Sequence, residues 1–152
     1  MTPFKIIEPK TEEELEKYFN LRYDVLRKPW NQPPSSTKDE HENISIHILM
    51  VDENNKAIAC GRLQLNSRGE GQIRSMAVRE EMQGKGLGKK ISDFIEAKAN
   101  ELKRKTITLD ARENAVKFYE RCGYKVVGES YLLFGVIQHY RMEKNLEANC
   151  NP

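Results

Sequence analysis

The 152-residue chain is predicted to fold as a mixed α/β domain. One mixed central sheet of about six to seven strands is flanked by about four helices. Three observations predict this class. Between residues 45 and 78, β-branched and apolar runs alternate with short polar turns, the pattern of an antiparallel meander. A glycine-rich loop then opens directly into a long amphipathic stretch. A further β-branched run, Thr106-Ile107-Thr108-Leu109, follows it. The strand–loop–helix–strand order from Ile73 to Leu109 predicts a right-handed crossover between parallel strands.

The elements follow in order. Residues 4–7 (Phe-Lys-Ile-Ile) suit a short strand. Thr11-Glu12-Glu13-Glu14 has the form of a capping box, with Thr11 as N-cap and Glu14 reaching back. Leu15, Tyr18, Phe19, Val25 and Leu26 recur at helical spacing, so a helix is expected to about Arg27. The prolines and serines of residues 29–37 forbid a regular element, and Trp30 either anchors that loop to the core or lines a pocket. Residues 45–51 and 57–65 form a hairpin across the polar turn 52–56. A second turn over 66–71 leads to a third strand, 72–78, on which Arg74, Met76 and Val78 are expected to share a face. Leu87, Ile91, Phe94, Ile95, Ala99 and Leu102 mark the buried stripe of the long helix. Residues 106–109 form a buried strand. Asn114 is placed to cap a short helix carrying Ala115, Phe118, Tyr119 and Cys122, with Gly123 at its C′ position. Residues 124–127 and 138–142 are the last strands. The domain spans 1–146, and residues 147–152 form a frayed tail.

Composition narrows the function classes. With 25 Lys+Arg against 23 Asp+Glu the net charge is +2, too balanced to argue for nucleic acid or membrane binding. The first residues lack a signal-peptide profile and no apolar run approaches a membrane span, so a cytoplasmic protein is expected. Cys60, Cys122 and Cys150 form neither a metal pattern nor a disulfide framework, and no metal is expected. Cys60 and Cys122 suit small buried hydrophobic positions.

The chemistry centres on Gln83-Gly84-Lys85-Gly86-Leu87-Gly88. Glycines at alternate positions at the mouth of a helix build a nest of free N–H groups that binds phosphate. A tight strand-to-helix turn with no ligand is the plainer reading. The spacing fits neither the P-loop nor the dinucleotide fingerprint, and no ribose-binding acid stands about 20 residues on.

Two segments carry a resemblance. Arg74-Ser75-Met76-Ala77-Val78, followed by Gln83 to Gly88, resembles the acetyl-CoA signature Q/R-x-x-G-x-G/A of the GNAT superfamily of N-acetyltransferases, with Gln83, Gly86 and Gly88 in the fixed places. The run from Asn114 through Phe118-Tyr119 to Gly123-Tyr124 is similar to its second motif. The resemblance implies a sheet splayed into a V, with acetyl-CoA entering the gap. It implies that Met76, Ala77 and Val78 pair with the pantetheine arm. Amides from Gln83 through Gly84, Lys85, Gly86, Leu87, Gly88 and Lys89 would wrap the pyrophosphate, with Lys90 adding charge. Asn114 and Tyr119 would contact the cofactor. Tyr119 is the implied general acid to the leaving thiolate, its plainer alternative being a packed core aromatic.

The base is less direct. Where many relatives keep a Glu, this chain has Gln72, which cannot act as one. Glu42 and His139 are the leading substitutes, with Asp39, Glu113 and Glu129 behind them. Each has a plainer reading, solvated surface for the Glu42 run and a structural imidazole for His139. Arg27, Trp30 and Arg74 are the acceptor-site candidates. The implied activity is acetyl transfer from acetyl-CoA to the primary amine of a small metabolite or amino-acid-like acceptor, by direct attack in a ternary complex. A protein or peptide acceptor is one alternative, and a non-catalytic acyl-CoA sensor is the other. A homodimer is compatible with such a fold.

Overall fold

The structure, a computed structural model, describes residues 4–146. The expected tail over 147–152, and Cys150 with it, lies outside the described residues. Strand β1 (Lys5–Ile7) leads into helix α1 (Glu12–Leu26), followed by short 3-10 turns at Lys28–Trp30, Pro34–Thr37 and Glu42–Ile44. Strands β2 (Ser45–Val51), β3 (Ala57–Leu65) and β4 (Glu70–Val78) form the meander. Helix α2 (Leu87–Glu101), strand β5 (Thr106–Arg112), helix α3 (Val116–Arg121) and the hairpin β6 (Lys125–Leu133) and β7 (Ile137–Asn145) complete the order. The seven strands form one sheet in the order β1-β2-β3-β4-β5-β7-β6. All pairings are antiparallel except β4 with β5.

Local chemistry fixes the helices. The capping box forms: the Glu14 N–H donates to Thr11 Oγ1 at 3.1 Å, and the Thr11 N–H donates to Glu14 Oε1 at 3.1 Å. Gly123 takes a left-handed φ of 97° just past the C-cap of α3. The sheet buries both faces. On β2, Ile48 and Met50 join the cluster under α2 with Ile91 and Ile95, while Leu49 and Val51 join Tyr18 and Leu21 of α1. Alternation along a strand thus feeds two apolar layers. Cys60 is fully buried, and Cys122 is half-buried; both thiols are free. No helix among the described residues is long and apolar enough to cross a membrane.

Several expectations need correction. The proline-rich loop carries two 3-10 turns, because Pro tolerates the first position of a helical turn. Asn114 lies inside the 3-10 turn Glu113–Ala115, so α3 starts later, at Val116, with Ala115 as its N-cap. Leu102 leaves the stripe of α2 and is exposed. Strand β4 begins at Glu70 and β5 continues to Arg112. Arg74 does not share a face with Met76 and Val78. Between the pairs Cys60–Ala77 and Arg62–Arg74, β3 contributes one residue and β4 two. Ser75 takes φ 54° there, which makes a β-bulge and turns the alternation over. Met76 and Val78 pack on the α2 layer, whereas Ala77 packs on the α1 layer.

A buried charge network ties the segment after α1 to the sheet. Arg62, with no exposed surface, donates to Asp39 Oδ1 and Oδ2 at 3.1 and 3.0 Å, to Glu42 Oε2 at 2.7 Å and to Gln64 Oε1 at 2.8 Å. Arg22 grips the same Glu42 with two bonds of 2.8 and 3.0 Å and also donates to the Thr37 carbonyl at 2.6 Å. Burial alone would raise the Asp39 and Glu42 carboxyls. Hydrogen bonds from Arg62 and the His41 N–H outweigh it at Asp39, and those from Arg22 and the Asp39 N–H outweigh it at Glu42, so both sit below the ordinary carboxylate value.

Arg62→Met is expected to lower the unfolding free energy by about 1–3 kcal/mol, because it takes the guanidinium from half-buried Asp39 and leaves Glu42 with Arg22 alone; urea denaturation at pH 7 measures it. A carboxyl depressed in the folded state contributes stability that is present above its unfolded value and lost as pH falls through its folded one. The native chain should therefore lose stability on acidification below about pH 4, and Arg62→Met should lose less over the same range.

Candidate active site

The parallel pairing of β4 and β5 runs only from Glu70–Thr106 to Ile73–Leu109. Beyond it β4 continues to Val78 and β5 to Arg112, so their ends part. β5 stays paired on its other edge as far as Arg112–His139. A cavity of about 1020 Å³ fills the opening. The glycine loop and α3 line one end, and the end of α1, Thr37 to Asp39 and the β6–β7 hairpin line the other.

The loop end is built for an anion. Gln83 Nε2 donates to the Val78 carbonyl at 3.0 Å, which folds the loop back on the strand it leaves. Gly84 and Gly86 both take φ 79°, and a Cβ at either would meet nothing within 4 Å. The space before them is open, and the left-handed backbone favours glycine at both. Gly86 caps α2 without a side-chain bond, so the first-turn N–H groups keep their donors for a ligand at the positive end of the helix. A pyrophosphate fits this cradle. Gly88 differs from these two, because a Cβ there would lie 3.2 Å from Phe118 Cζ. This glycine lets α2 close on α3 rather than clearing a ligand's path. Lys89 lines the cavity but pairs with Asp93 at 3.0 Å. Lys85 is exposed and, unlike its neighbours in the loop, does not line the cavity.

Met76, Ala77, Val78, Leu87, Asn114 and Tyr119 line the same cavity. Tyr119 is only 6% exposed and is wedged edge-on against Phe118 and Tyr124. Burial, with the nearby Cys122 behind it, pushes its phenol well above the ordinary value. The hydroxyl keeps its proton and can donate a hydrogen bond, while full release of that proton becomes harder still.

At the far end His139 is buried and stacks on Tyr131, ring centroids 4.5 Å apart. Its Nδ1 lies 3.0 Å from the Ile137 carbonyl. A carbonyl only accepts, so Nδ1 carries the proton and Nε2 the lone pair. Burial lowers its pKa first, and the charges of Arg112 and Arg27 lower it further against the opposing pull of the Ile137 carbonyl and Asp110. The imidazole is therefore neutral near pH 7. Arg27, Arg74 and Asp39 also face this cavity.

Besides Lys85, two further expected site residues stand elsewhere. Glu42 does not line the cavity; it is the counter-ion of Arg22 and Arg62, and that pairing weakens it as a base. Trp30 packs against Phe134 at the hairpin tip, 6.4 Å between ring centroids, outside the cavity wall. Glu113 and Glu129 are exposed and also lie off the wall. Gln72 lines the cavity and accepts from Asn66 Nδ2 at 3.0 Å, and Asn66 donates to Glu70 at 2.7 Å as well. Sequence reasoning missed Asp110, Arg112 and Tyr131 on the wall. The signal was present for the first two: Ile107, Leu109 and Ala111 alternate with Thr108, Asp110 and Arg112, so the strand continues with a polar face.

Known proteins share this fold. A family model described as an acetyltransferase (GNAT) domain matches residues 11–146. An uncharacterized N-acetyltransferase of Bacillus subtilis (strain 168), YjcF, is 32% identical over 141 residues, which are 93% of this chain and 99% of the relative. A solved structure assigned as an N-acetyltransferase of Lactobacillus plantarum superposes with a TM-score of 0.84 at 19% identity, covering 94% of this chain and 98% of its own. An aminoglycoside 6'-N-acetyltransferase complexed with coenzyme A does so with 0.78 at 15% identity, covering 95% and 97%. At these identities the structures show a common fold.

The Gly88–Phe118 approach is testable by itself. Gly88→Val should cost about 1–3 kcal/mol of stability through overpacking. Adding Phe118→Leu should return part of that loss in the same chemical denaturation measurement, since the two residues touch.

Proposed function

The chain belongs to the acetyltransferase (GNAT) domain family, and from that premise we propose that it transfers the acetyl group of acetyl-CoA to the primary amine of a small acceptor, by direct attack in a ternary complex. One observation carries the reading. A single cavity joins an open glycine cradle, the parted ends of β4 and β5, a protonated buried phenol and a neutral imidazole.

Bound acetyl-CoA supplies an acetyl thioester and a thiol leaving group. Backbone N–H groups from Gly84 to Lys89 would hold its phosphates, and the strand end Met76–Ala77–Val78, unpaired toward β5, offers main-chain groups to its amide-bearing arm. Asn114 and Tyr119, which follow β5 in the chain, line the same cavity. His139 takes up, on Nε2, the proton that the acceptor nitrogen sheds once its N–C bond forms. Tyr119 donates a hydrogen bond that strengthens as charge grows on the departing sulfur. Gln72 holds no proton in play; it belongs to the amide chain through Asn66. Glu42 is left out of the mechanism because two guanidiniums already hold it.

The decisive assay measures CoA thiol release from acetyl-CoA over a panel of amines. Release with none of them, despite acetyl-CoA binding, would leave a non-catalytic acyl-CoA sensor. Tyr119→Phe is expected to lower kcat by about 100-fold or more with little change in the KM for acetyl-CoA; a variant with full turnover removes the acid assignment. The lowered His139 pKa sets the acidic limb of kcat/KM. Activity should be full above that value and fall as pH drops through it, at a midpoint below the ordinary histidine value of about 6.5. His139→Gln should lower the rate and abolish that limb in the same pH profile.

A further inference from the structure

Three arginines face the acceptor end of the cavity: Arg27 from the end of α1, Arg74 from β4 and Arg112 from β5. None has a carboxylate partner among the described residues. Arg27 Nη1 and Arg112 Nη2 converge on one oxygen, the Leu26 carbonyl, each at 3.4 Å. Arg27 otherwise donates through Nε to the Ser36 carbonyl at 3.1 Å and lies 5.7 Å from the Phe134 ring centre. The Arg74 side chain has no hydrogen bond or ion pair among the described residues.

The carboxylates on the same wall are held mainly by other groups, and the Arg74 charge reaches Asp39 only as a lesser effect. Asp39 is held by Arg62 and by the His41 N–H. Asp110 is held by Arg141 Nε at 3.1 Å and by Ser130 Oγ at 2.7 Å. Two like charges brought to one carbonyl, half-buried and with a third nearby, repel one another unless an anion enters. Burial and the Arg112 charge, with smaller effects of Arg22 and Arg74, already lower the pKa of Arg27. Guanidinium forks at such a site match the oxygens of a carboxylate or a phosphate.

We propose that Arg27, Arg74 and Arg112 form an anion subsite, and that the acceptor is an amine bearing a carboxylate or phosphate group rather than a polyamine or other purely cationic amine. The inference rests on the acetyltransferase reading of the same cavity. Arg112 faces His139 across the β5–β7 register, so an anion held there lies beside the proposed base, and the acceptor's amine reaches that base when its two groups are a short distance apart.

Matched compounds test this in the intact protein. Each common amino acid is compared with its carboxamide, and O-phosphoethanolamine with ethanolamine. CoA thiol release from acetyl-CoA gives turnover, and calorimetry with CoA present gives binding. The expected result is at least one anionic member used tenfold or more better than its neutral twin. Arg74→Met or Arg112→Met should cut that kcat/KM by roughly 10- to 100-fold, leaving the acetyl-CoA KM in place. Arg74→Lys and Arg112→Lys, which keep the charge and lose the fork, should fall between. The carboxylate and phosphate pairs tell the two anions apart. Efficient turnover of neutral or polycationic amines, equal to or above that of anionic ones, overturns the subsite and leaves the acetyltransferase standing. Arginine-dependent binding of an anion without any CoA release keeps the subsite and removes the catalytic reading. Failure of every compound to bind overturns the subsite.

Discussion

The parting of β4 from β5 is the constraint on which the rest depends. Four residue pairs hold the two strands together, and then neither strand can follow the other. The bulge at Ser75 turns β4 at that point, while the antiparallel ladder to β7 holds β5 on a different course. Backbone groups at a parted seam lack a partner within the sheet. The glycine loop carries the chain from the end of β4 to α2, and one 3-10 turn carries it from the end of β5 to α3, so a helix terminus and a buried tyrosine are both delivered to the gap. A continuous seven-stranded ladder would have had room for neither.

Charge is sorted with equal consequence. Arg22 and Arg62 are buried and each is matched by carboxylate; together with Asp39 and Glu42 they fasten the segment after α1 against the sheet. Arg27, Arg74 and Arg112 are half-buried and have no carboxylate partner among the described residues. One residue type thus does two jobs. A fully buried guanidinium without its carboxylates would be too costly to keep, whereas one at a cavity wall retains partial hydration and can wait for a ligand. The first set shapes the wall and the second gives it its field.

Much of this was legible in the sequence where local rules decide the outcome. The α1 capping box, the strands over residues 45–51 and 57–65 and the glycine after α3 depend on neighbours within a few positions. The glycine loop was legible by spacing, although Gly88 serves helix packing, which depends on Phe118 thirty positions away. What failed was non-local. Asp110 and Arg112 looked like the end of a strand, because a polar face toward a cavity resembles a turn. The bulge at Ser75 inverted the face assigned to Arg74, and no residue type at that position announces it. Glu42 lies in an acidic run that suggests solvent or a base, yet its partners come from α1 and β3, and only the fold brings them to it.

The neutral amide at position 72 follows from the same sorting. Asn66 Nδ2 already serves Glu70 and Gln72 together. A carboxylate at 72 would share that donor with a second negative charge, and repulsion would raise its proton affinity. His139 escapes this conflict, since the charges nearest it include Arg112 and Arg27, which keep its lone pair free. On the proposed reading, those arginines also favour the neutral form of an amine entering beside them, while an anion on the same acceptor offsets their repulsion. Anion capture, amine deprotonation and base strength then draw on one field, so removing Arg27 or Arg112 should alter acceptor affinity and the acidic limb of the rate together. An arginine whose charge acted on His139 alone would move the limb and leave acceptor affinity where it was.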